Sequence, residues 1–366
     1  MIKKIGIPGM AFTFAGCLLG AGYVSGQELW QYFGSYGKVG VFGLAVSIAL
    51  VGLISAMLFW LSDHAKTGTV DRLIVRWEIP WLRVAVGVLF SLLYLVVAII
   101  MIAGISSLGT QIFGLPRAIG SAVATVLIML TVYFGFNGMV RVFELVIPVL
   151  VAVAIVLSVW RIADIGAGNI ALTGTDVNPM LGPWYMSALN YTALNMFTSI
   201  GILAPLANHF KKKYTAPVGV MLGTAVLITI AVFLILAMAT DVQSAGTDLP
   251  MLYIAQKMGK MQSGIYAALL FLAMYGNANA TLVAALNYFD KRLPRGKEKK
   301  GRIVRIVLVG AVAYVCSLTG FTKLVATVYP VIGYIGAASI LLLAEHALHL
   351  YLQEKHGKKN ELRKSR

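Results

Sequence analysis

A chain of 366 residues that is 59% hydrophobic and only 12% charged, with a mean hydropathy of +0.84, is too apolar for a soluble domain, where about a quarter of residues are charged. No stretch is left over for a separate soluble domain, and the two cysteines, Cys17 and Cys316, both sit in apolar segments and suggest neither a disulfide scaffold nor a metal site. A net charge of +16 would suit a nucleic-acid partner, but the basic residues lie in alternate connections and at the termini, which is how membrane topology is encoded.

The first apolar segment, 6–34, is the most informative. It reads Gly16-Cys17-Leu18-Leu19-Gly20-Ala21-Gly22-Tyr23-Val24-Ser25-Gly26 at its centre. Each glycine weakens a helix by roughly 1 kcal/mol relative to alanine. As one helix the segment would span roughly 43 Å, against a hydrocarbon core of about 30 Å. Two half-helices joined by a bend fit better. Irregular backbone at that depth persists only where it is buried in protein or lines a cavity. The other reading of the glycines is a pair of small-xxx-small packing faces, Gly16/Gly20 and Gly22/Gly26. Phe14-Ala15-Gly16-Cys17 also loosely resembles a lipoprotein signal, but the apolar run continues past Cys17 and Phe14 fits poorly, which favours a retained span.

Nine further apolar segments follow at 39–62, 84–108, 118–136, 140–160, 184–210, 216–240, 262–289, 303–319 and 324–351. With a cytoplasmic N-terminus, all of the 30 Lys and Arg except Lys38, Arg117, Arg161, Lys257, Lys260 and Lys323 fall on the inner side. That asymmetry places both termini in the cytoplasm and suits an even number of spans. The reading is one ten-span domain over 1–351, with halves of about 6–160 and 184–351, and a basic cytoplasmic tail at 352–366. Trp30, Trp60, Trp77, Trp81, Trp160 and Trp184 fall mostly near span ends, as interface anchors do.

The sixth segment, like the first, is long, and its middle, Asn195-Met196-Phe197-Thr198-Ser199-Ile200-Gly201, is rich in polar and small residues. Interrupted helices at matching places in two oppositely oriented halves point to a transporter site. An interruption is therefore expected in both.

Gly20-Ala21-Gly22-Tyr23-Val24-Ser25-Gly26-Gln27-Glu28, followed by Gln31-Tyr32-Phe33-Gly34, resembles the first-helix signature of the YkvI-like bacterial membrane proteins. Asp248-Leu249-Pro250-Met251-Leu252-Tyr253-Ile254-Ala255 is a second patch of similarity. These proteins belong to the amino acid–polyamine–organocation superfamily, whose members share the LeuT-type fold. The resemblance implies an all-α membrane protein with a five-plus-five inverted repeat. Helices one and six would be broken mid-membrane, helices three and eight would complete the pocket, and spans one, two, six and seven would move against the remaining scaffold. Residues 241–261 would form an outer cap with a short helix at 250–258.

No basic side chain lies deep in a span, so a bound anion needs backbone N–H groups, which a half-helix N-terminus supplies. Candidate substrate-binding residues are Gly20, Ala21, Gly22 and Tyr23 in span one, Phe197, Thr198 and Ser199 in span six, and Asn277 in span eight. Tyr94 in span three joins them through the resemblance. By the same resemblance a coupling ion, sodium or a proton, would use carbonyls of Gly16 and Leu19 with Asn277 or Thr281. The lack of adjacent Ser/Thr residues departs from a conventional sodium site, and Asn277 and Asn279 also read as interhelical hydrogen-bonding residues. Glu28, an acid within a span, is a coupling or gating candidate; the plainer reading is a local partner that holds the half-helix. Glu144 reads as an i,i+3 partner of Arg141. Glu345, His346 and His349 read as an interfacial polar patch rather than a metal site.

The function expected is secondary active transport of a small organic solute, an amino acid or a related zwitterion or carboxylate, as a symporter in the bacterial cytoplasmic (inner) membrane. The other class is a ligand-sensing subunit on the same fold, like those of spore-germinant receptors, which binds without transporting. No nucleotide-binding motif and no converging Ser/His/Asp set points to an enzyme, and no cofactor is expected.

Overall fold

The structure is a computed structural model that describes residues 6–65, 73–74, 77, 79–134, 139–206, 214–290 and 298–364. Among them every regular element is helical and none is a strand. The first segment divides into α1 (Ile7–Leu18), α2 (Ala21–Ser25) and α3 (Gln27–Tyr32). Then come α4 (Lys38–His64), α5 (Pro80–Phe113), α6 (Arg117–Phe134) and α7 (Met139–Ile165). The second half holds α8 (Trp184–Leu206), α9 (Thr215–Met238), the short α10 (Pro250–Met258), α11 (Lys260–Asp290), α12 (Glu298–Ser317) and α13 (Phe321–Lys364).

Seven of these helices are long and apolar enough to cross a bilayer: α4, α5, α6, α9, α11, the Pro148–Ile165 part of α7 and the Phe321–Gln353 part of α13. In α1 the apolar stretch is shorter, Ile7–Gly16. The polar residues Asn190, Thr192 and Asn195 dilute α8, and Lys299, Lys300, Arg302 and Arg305 open α12. Large apolar side chains such as Leu53, Leu308 and Leu341 face outward, as they do only where the surroundings are lipid or another apolar surface. The chain is a multi-pass membrane protein.

Local chemistry sets the helix ends. Pro80 opens α5, where its missing N–H is one of the unpaired donors in any case. Gly114, at φ +66°, closes it, with Gly114 N–H on Thr110 O and Leu115 N–H on Gly109 O. Within α13, Pro330 has no N–H, so the Ala326 carbonyl loses its helical donor. The Asn178 side chain, from the connection before α8, takes that carbonyl at 2.7 Å.

The long helices sort into two groups. In one, α1 packs on α9, α4 on α8 and α9, and α1 on α8. In the other, α5 packs on α11, α6 and α12, and α6 on α12 and α11. Two helices bridge the groups: α7 touches α9 and α11, while α13 touches α8, α4 and α5. Spans one, two, six and seven fall in one group, whereas α7 and α13, expected with the rest, contact both.

Helix six departs from expectation. The interruption expected at 195–201 is absent, and α8 runs unbroken for 23 residues. The polar groups read as helix-breaking bond back to their own helix instead: Asn195 Nδ2 donates to Tyr191 O at 2.9 Å, and Thr198 Oγ1 to Leu194 O and Asn195 O at 3.1 Å each. Back-bonding of this kind lets polar side chains sit inside a continuous helix. The expected Arg141–Glu144 pair involves side chains outside the described residues.

Candidate functional site

Helix one does break. After Leu18, the backbone of Leu19 (φ −76°, ψ 67°) and Gly20 (φ −74°, ψ 166°) is non-helical. Leu19 N–H still reaches Ala15 O, but Gly20 N–H turns to Leu18 O at 2.9 Å, and the Tyr23 and Val24 N–H groups both converge on Gly20 O. The carbonyls of Gly16 and Leu19 thereby fall outside the backbone ladder of the described residues. The outer half differs from the single half-helix expected. Its first piece, α2, has only five residues and ends at Gly26, whose φ of +84° is open to glycine at little cost. So short a helix carries little of the dipole of a full half-helix.

Gly16 and Gly20, at the break itself, are not packing residues, whereas a methyl at Gly26 would collide with Met238 Sδ of α9 and lie 3.1 Å from Met251 Cγ. A methyl added at Gly16 would meet nothing within 4 Å, and one at Gly20 only Asn277 Nδ2, at 3.8 Å. The close approach lies on the partner helix. A methyl at Gly219 of α9 would come within 2.6 Å of Met10 Cβ, and one at Gly223 within 2.7 Å of Phe14 Cδ1 and 2.9 Å of Ala11 O. The small-xxx-small face between α1 and α9 is therefore Gly219/Gly223.

Gly22 has a different reason. A methyl there would lie 2.7 Å from Glu28 Oε2 and 3.5 Å from the Tyr329 hydroxyl. The left-handed residue at 26 turns α3 so that the Glu28 carboxylate folds back over the first turn of α2. An acid of the chain itself thus lies against Gly22, one of the glycines of the expected anion site. Glu28 is only 6% exposed. No Lys, Arg or His pairs with it among the described residues.

The other predicted residues divide into two sets. Gly20 and Asn277 lie together, and the Thr281 hydroxyl donates to Asn277 O at 2.7 Å. Phe197 stacks near Phe90 (centroids 4.3 Å apart), and Phe90 in turn lies 6.5 Å from the Tyr94 ring. Phe197 also lines a small apolar crevice with Ile54, Met196, Ile200, Ser339, Ile340 and Leu343, of about 10 Å³, room for one water at most. This conformation is closed around the break, where Gly22, Tyr23, Val24 and Ser25 are all buried. Two expectations need correction. The Tyr23 hydroxyl points away to Leu227 O of α9 at 2.7 Å, and the Thr198 hydroxyl is used within α8. Ser199 keeps a buried hydroxyl with no hydrogen-bond partner. The side chain of Ala21 lies outside the described residues. His346 bonds Leu73 O and His349 bonds Gln353, and the described residues hold no group of three metal-ligating side chains.

Sequence reasoning named Tyr23 but missed three further tyrosines: Tyr32, Tyr191 and Tyr329, like Tyr23, lie within electrostatic reach of Glu28. Tyr191 is 1% exposed, and its hydroxyl, facing Glu28 and Asn195, has no well-directed hydrogen bond. Tyr32 and Tyr191 rings sit 5.0 Å apart. Asn190 ties the cluster together, accepting from the Tyr32 hydroxyl at 3.1 Å and donating to Pro330 O at 2.9 Å. The available signal was the polar run Asn190-Tyr191-Thr192 inside an apolar span.

Asp248 was also quoted only as part of a motif. Its carboxylate accepts from Ser107 Oγ of α5 (2.7 Å), Arg117 Nη2 of α6 (2.9 Å) and Thr322 Oγ1 of α13 (2.6 Å). Thr322 O in turn accepts from Gln31 Nε2 of α3 at 3.2 Å. The segment between α9 and α11 is thus clasped to three helices, one of which, α13, is tied in turn to α3.

No protein-family model matches the chain. It is similar to the uncharacterized membrane protein YkvI of Bacillus subtilis (strain 168), 24% identical over 332 residues, covering 90% of this chain and 93% of that protein. It is likewise similar to the uncharacterized protein YyaD of the same organism, 25% identical over 356 residues, covering 94% and 97%. Among solved structures it resembles MhsT in complex with L-phenylalanine, with a TM-score of 0.59 at 15% identity, covering 93% of this chain and 90% of that one. It also resembles a manganese transporter from Eremococcus coleocola, with a TM-score of 0.51 at 12% identity, covering 93% and 85%. The likeness to these structures is one of fold, and it supports the LeuT-type arrangement that the first-helix motif implied.

Proposed function

We propose that this chain is a secondary active transporter of a small organic solute, an amino acid or a related zwitterion or carboxylate, and that it works by alternating access with sodium or a proton as coupling ion. The observation that carries the reading is the break at Leu19–Gly20. It releases the Gly16 and Leu19 carbonyls from the ladder, it lies beside Asn277 of α11, and Gly16 and Gly20 are not needed for packing. A helix weakened in that place without a packing reason is best accounted for by a ligand. Gly20, Ala21 and Gly22 are the backbone part of the site, with Asn277, Phe197, Ser199 and Tyr94 as side chains. Gly16, Leu19, Asn277 and Thr281 are the candidate ion ligands, and Glu28 is the coupling or gating acid.

The pattern of helix contacts supports the inverted repeat. When each of ten long helices is replaced by the one five later, counting α1–α3 as the first and leaving out α10, the pairs α4–α8 and α1–α9 exchange. So do α5–α12 and α6–α11, while α4–α9, α5–α11 and α6–α12 map onto themselves. The symmetry is incomplete at α8–α13 and at α5–α6, whose counterparts, α2–α7 and α11–α12, are slight contacts. Two such halves around a central site are the architecture of alternating access. The distribution of Lys and Arg supports ten spans with both termini in the cytoplasm of a bacterium, in its inner membrane.

Uptake of a labelled amino-acid mixture into proteoliposomes, under imposed sodium and proton gradients in turn, tests the reading. Gradient-driven accumulation is expected for the wild type and none for Gly22→Leu, whose side chain would displace Glu28. Binding without uptake under any gradient would replace the transporter by a sensor on the same fold.

A further inference from the structure

The connection between the two halves is bonded to both of them. Residues 172–178, which lie between α7 and α8, meet the first span on one side and α13 on the other. On the first side, Thr175 N–H donates to Ser35 O at 2.9 Å, and the Trp30 indole N–H donates to Thr175 Oγ1 at 3.2 Å. The two backbones touch here. A methyl on Gly174 would lie 2.6 Å from Ser35 O, one on Gly37 would lie 2.7 Å from Leu172 O, and both glycines hold positive φ, +78° and +64°. On the other side, Asn178 Nδ2 donates at 2.7 Å to the Ala326 carbonyl that Pro330 leaves without a helical donor. The Tyr334 hydroxyl donates to Met180 O, also at 2.7 Å.

These two anchorages join parts of the fold that an outward opening has to separate. The outer piece of the broken first helix, α3, is closed against α13: Gln31 Nε2 reaches Thr322 O at 3.2 Å, and the Tyr329 hydroxyl lies 3.5 Å from where a methyl on Gly22 would stand. We propose that residues 172–178 are a strap across the outer end of the break, held on α13 by Asn178 and released from the first span at Thr175 when the outer side opens. This rests on the reading of the break as a solute site reached by alternating access. The order of release follows from how each end is held. Asn178 is locked in its own turn, accepting from Met180 N–H at 3.0 Å, and Leu181 just beyond it is fully buried. Releasing Asn178 would strand the Ala326 carbonyl. Around Thr175 the strap is open instead, with Thr173, Asp176 and Val177 exposed, so water can take over both bonds once it lifts.

The test is the rate at which a membrane-impermeant maleimide labels Ser35→Cys on intact cells, in the full chain with Cys17 and Cys316 replaced by alanine. Ser35 is only 4% exposed, so labelling should be slow and limited by opening of the strap. Gly174→Ala forces a methyl against Ser35 O at a positive φ and leaves the α13 bonds in place, so labelling should quicken about tenfold. Thr175→Val removes only the acceptor of the Trp30 indole and should quicken it by a smaller factor. Thr173→Val, on the same segment, removes an exposed hydroxyl with no hydrogen bond among the described residues and should leave the rate unchanged. Equal rates in all the variants, an effect of Thr173→Val as large as that of Gly174→Ala, or no labelling of position 35 in any variant would overturn the proposal. Failure here together with gradient-driven uptake leaves the transporter reading standing. Faster labelling of Gly174→Ala without uptake of any solute keeps the strap and makes it the cover of a sensor.

Discussion

Gly16 of helix one is read as serving a site and Gly223 of α9 as serving packing, and a matched pair of substitutions separates the two roles. Gly16→Ala places a methyl where nothing lies within 4 Å, whereas Gly223→Ala drives one to 2.7 Å from Phe14 Cδ1 and 2.9 Å from the Ala11 carbonyl. The gain in helix propensity, up to about 1 kcal/mol, is common to both and cancels in the comparison. What remains is the overpacking of α1 against α9, about 1–3 kcal/mol. Backbone carbonyl Ala11 O cannot swing aside as a side-chain tip can, so the penalty falls on the seating of the whole helix. Thermal stability of the two variants in one detergent, followed by loss of the monodisperse peak on size exclusion, reads the difference directly. Gly16→Ala should match or exceed the wild type, and Gly223→Ala should melt several degrees below it. Equal destabilisation by both would mean that Gly16 packs against something, and the argument that the break exists for a ligand would lose its footing.

Tyr23→Phe removes the bond to Leu227 O, a carbonyl that keeps its helical donor within α9, which should lower stability by about 0.5–1.5 kcal/mol without altering solute affinity; a large loss of affinity with unchanged stability would restore Tyr23 to the site. Asn178→Ala strands the Ala326 carbonyl opened by Pro330 and should destabilise by about 1–3 kcal/mol, whereas restoring the helical donor with Pro330→Ala in the same chain should recover part of it. Asp248→Ala gives up the bonds from Ser107 and Thr322, each about 1.5 kcal/mol or more to a charged acceptor. The half-exposed Arg117 pair adds less than about 1 kcal/mol. Limited proteolysis of the intact protein should then cut faster between α9 and α11; an unchanged pattern would show that other contacts hold this segment.

Much of the architecture was legible because lipid imposes simple rules. Apolar length located the helices, but the segment expected at 84–108 runs from Pro80 to Phe113, its ends set by Pro80 and Gly114. The break in helix one was readable too, since four glycines within 16–26 have few other uses. Helix six misled because Asn195 and Thr198 look helix-breaking in sequence, yet each bonds back to a carbonyl one turn earlier. The reason for Gly22 was out of reach. It depends on Gly26 turning α3 so that Glu28 returns to α2, a tertiary consequence of one positive φ. The tyrosines around Glu28 come from helices far apart in the chain, and no periodicity or spacing announces such a meeting.

Solute counterflow tests the central claim most directly, because it needs alternating access but not the correct coupling ion. Proteoliposomes loaded with an unlabelled mixture of amino acids, then diluted into a trace of the same compounds in labelled form, should accumulate label transiently. Gly22→Leu liposomes should not. Absence of counterflow by a wild-type protein that still binds a component of the mixture would contradict the account and leave a receptor in its place.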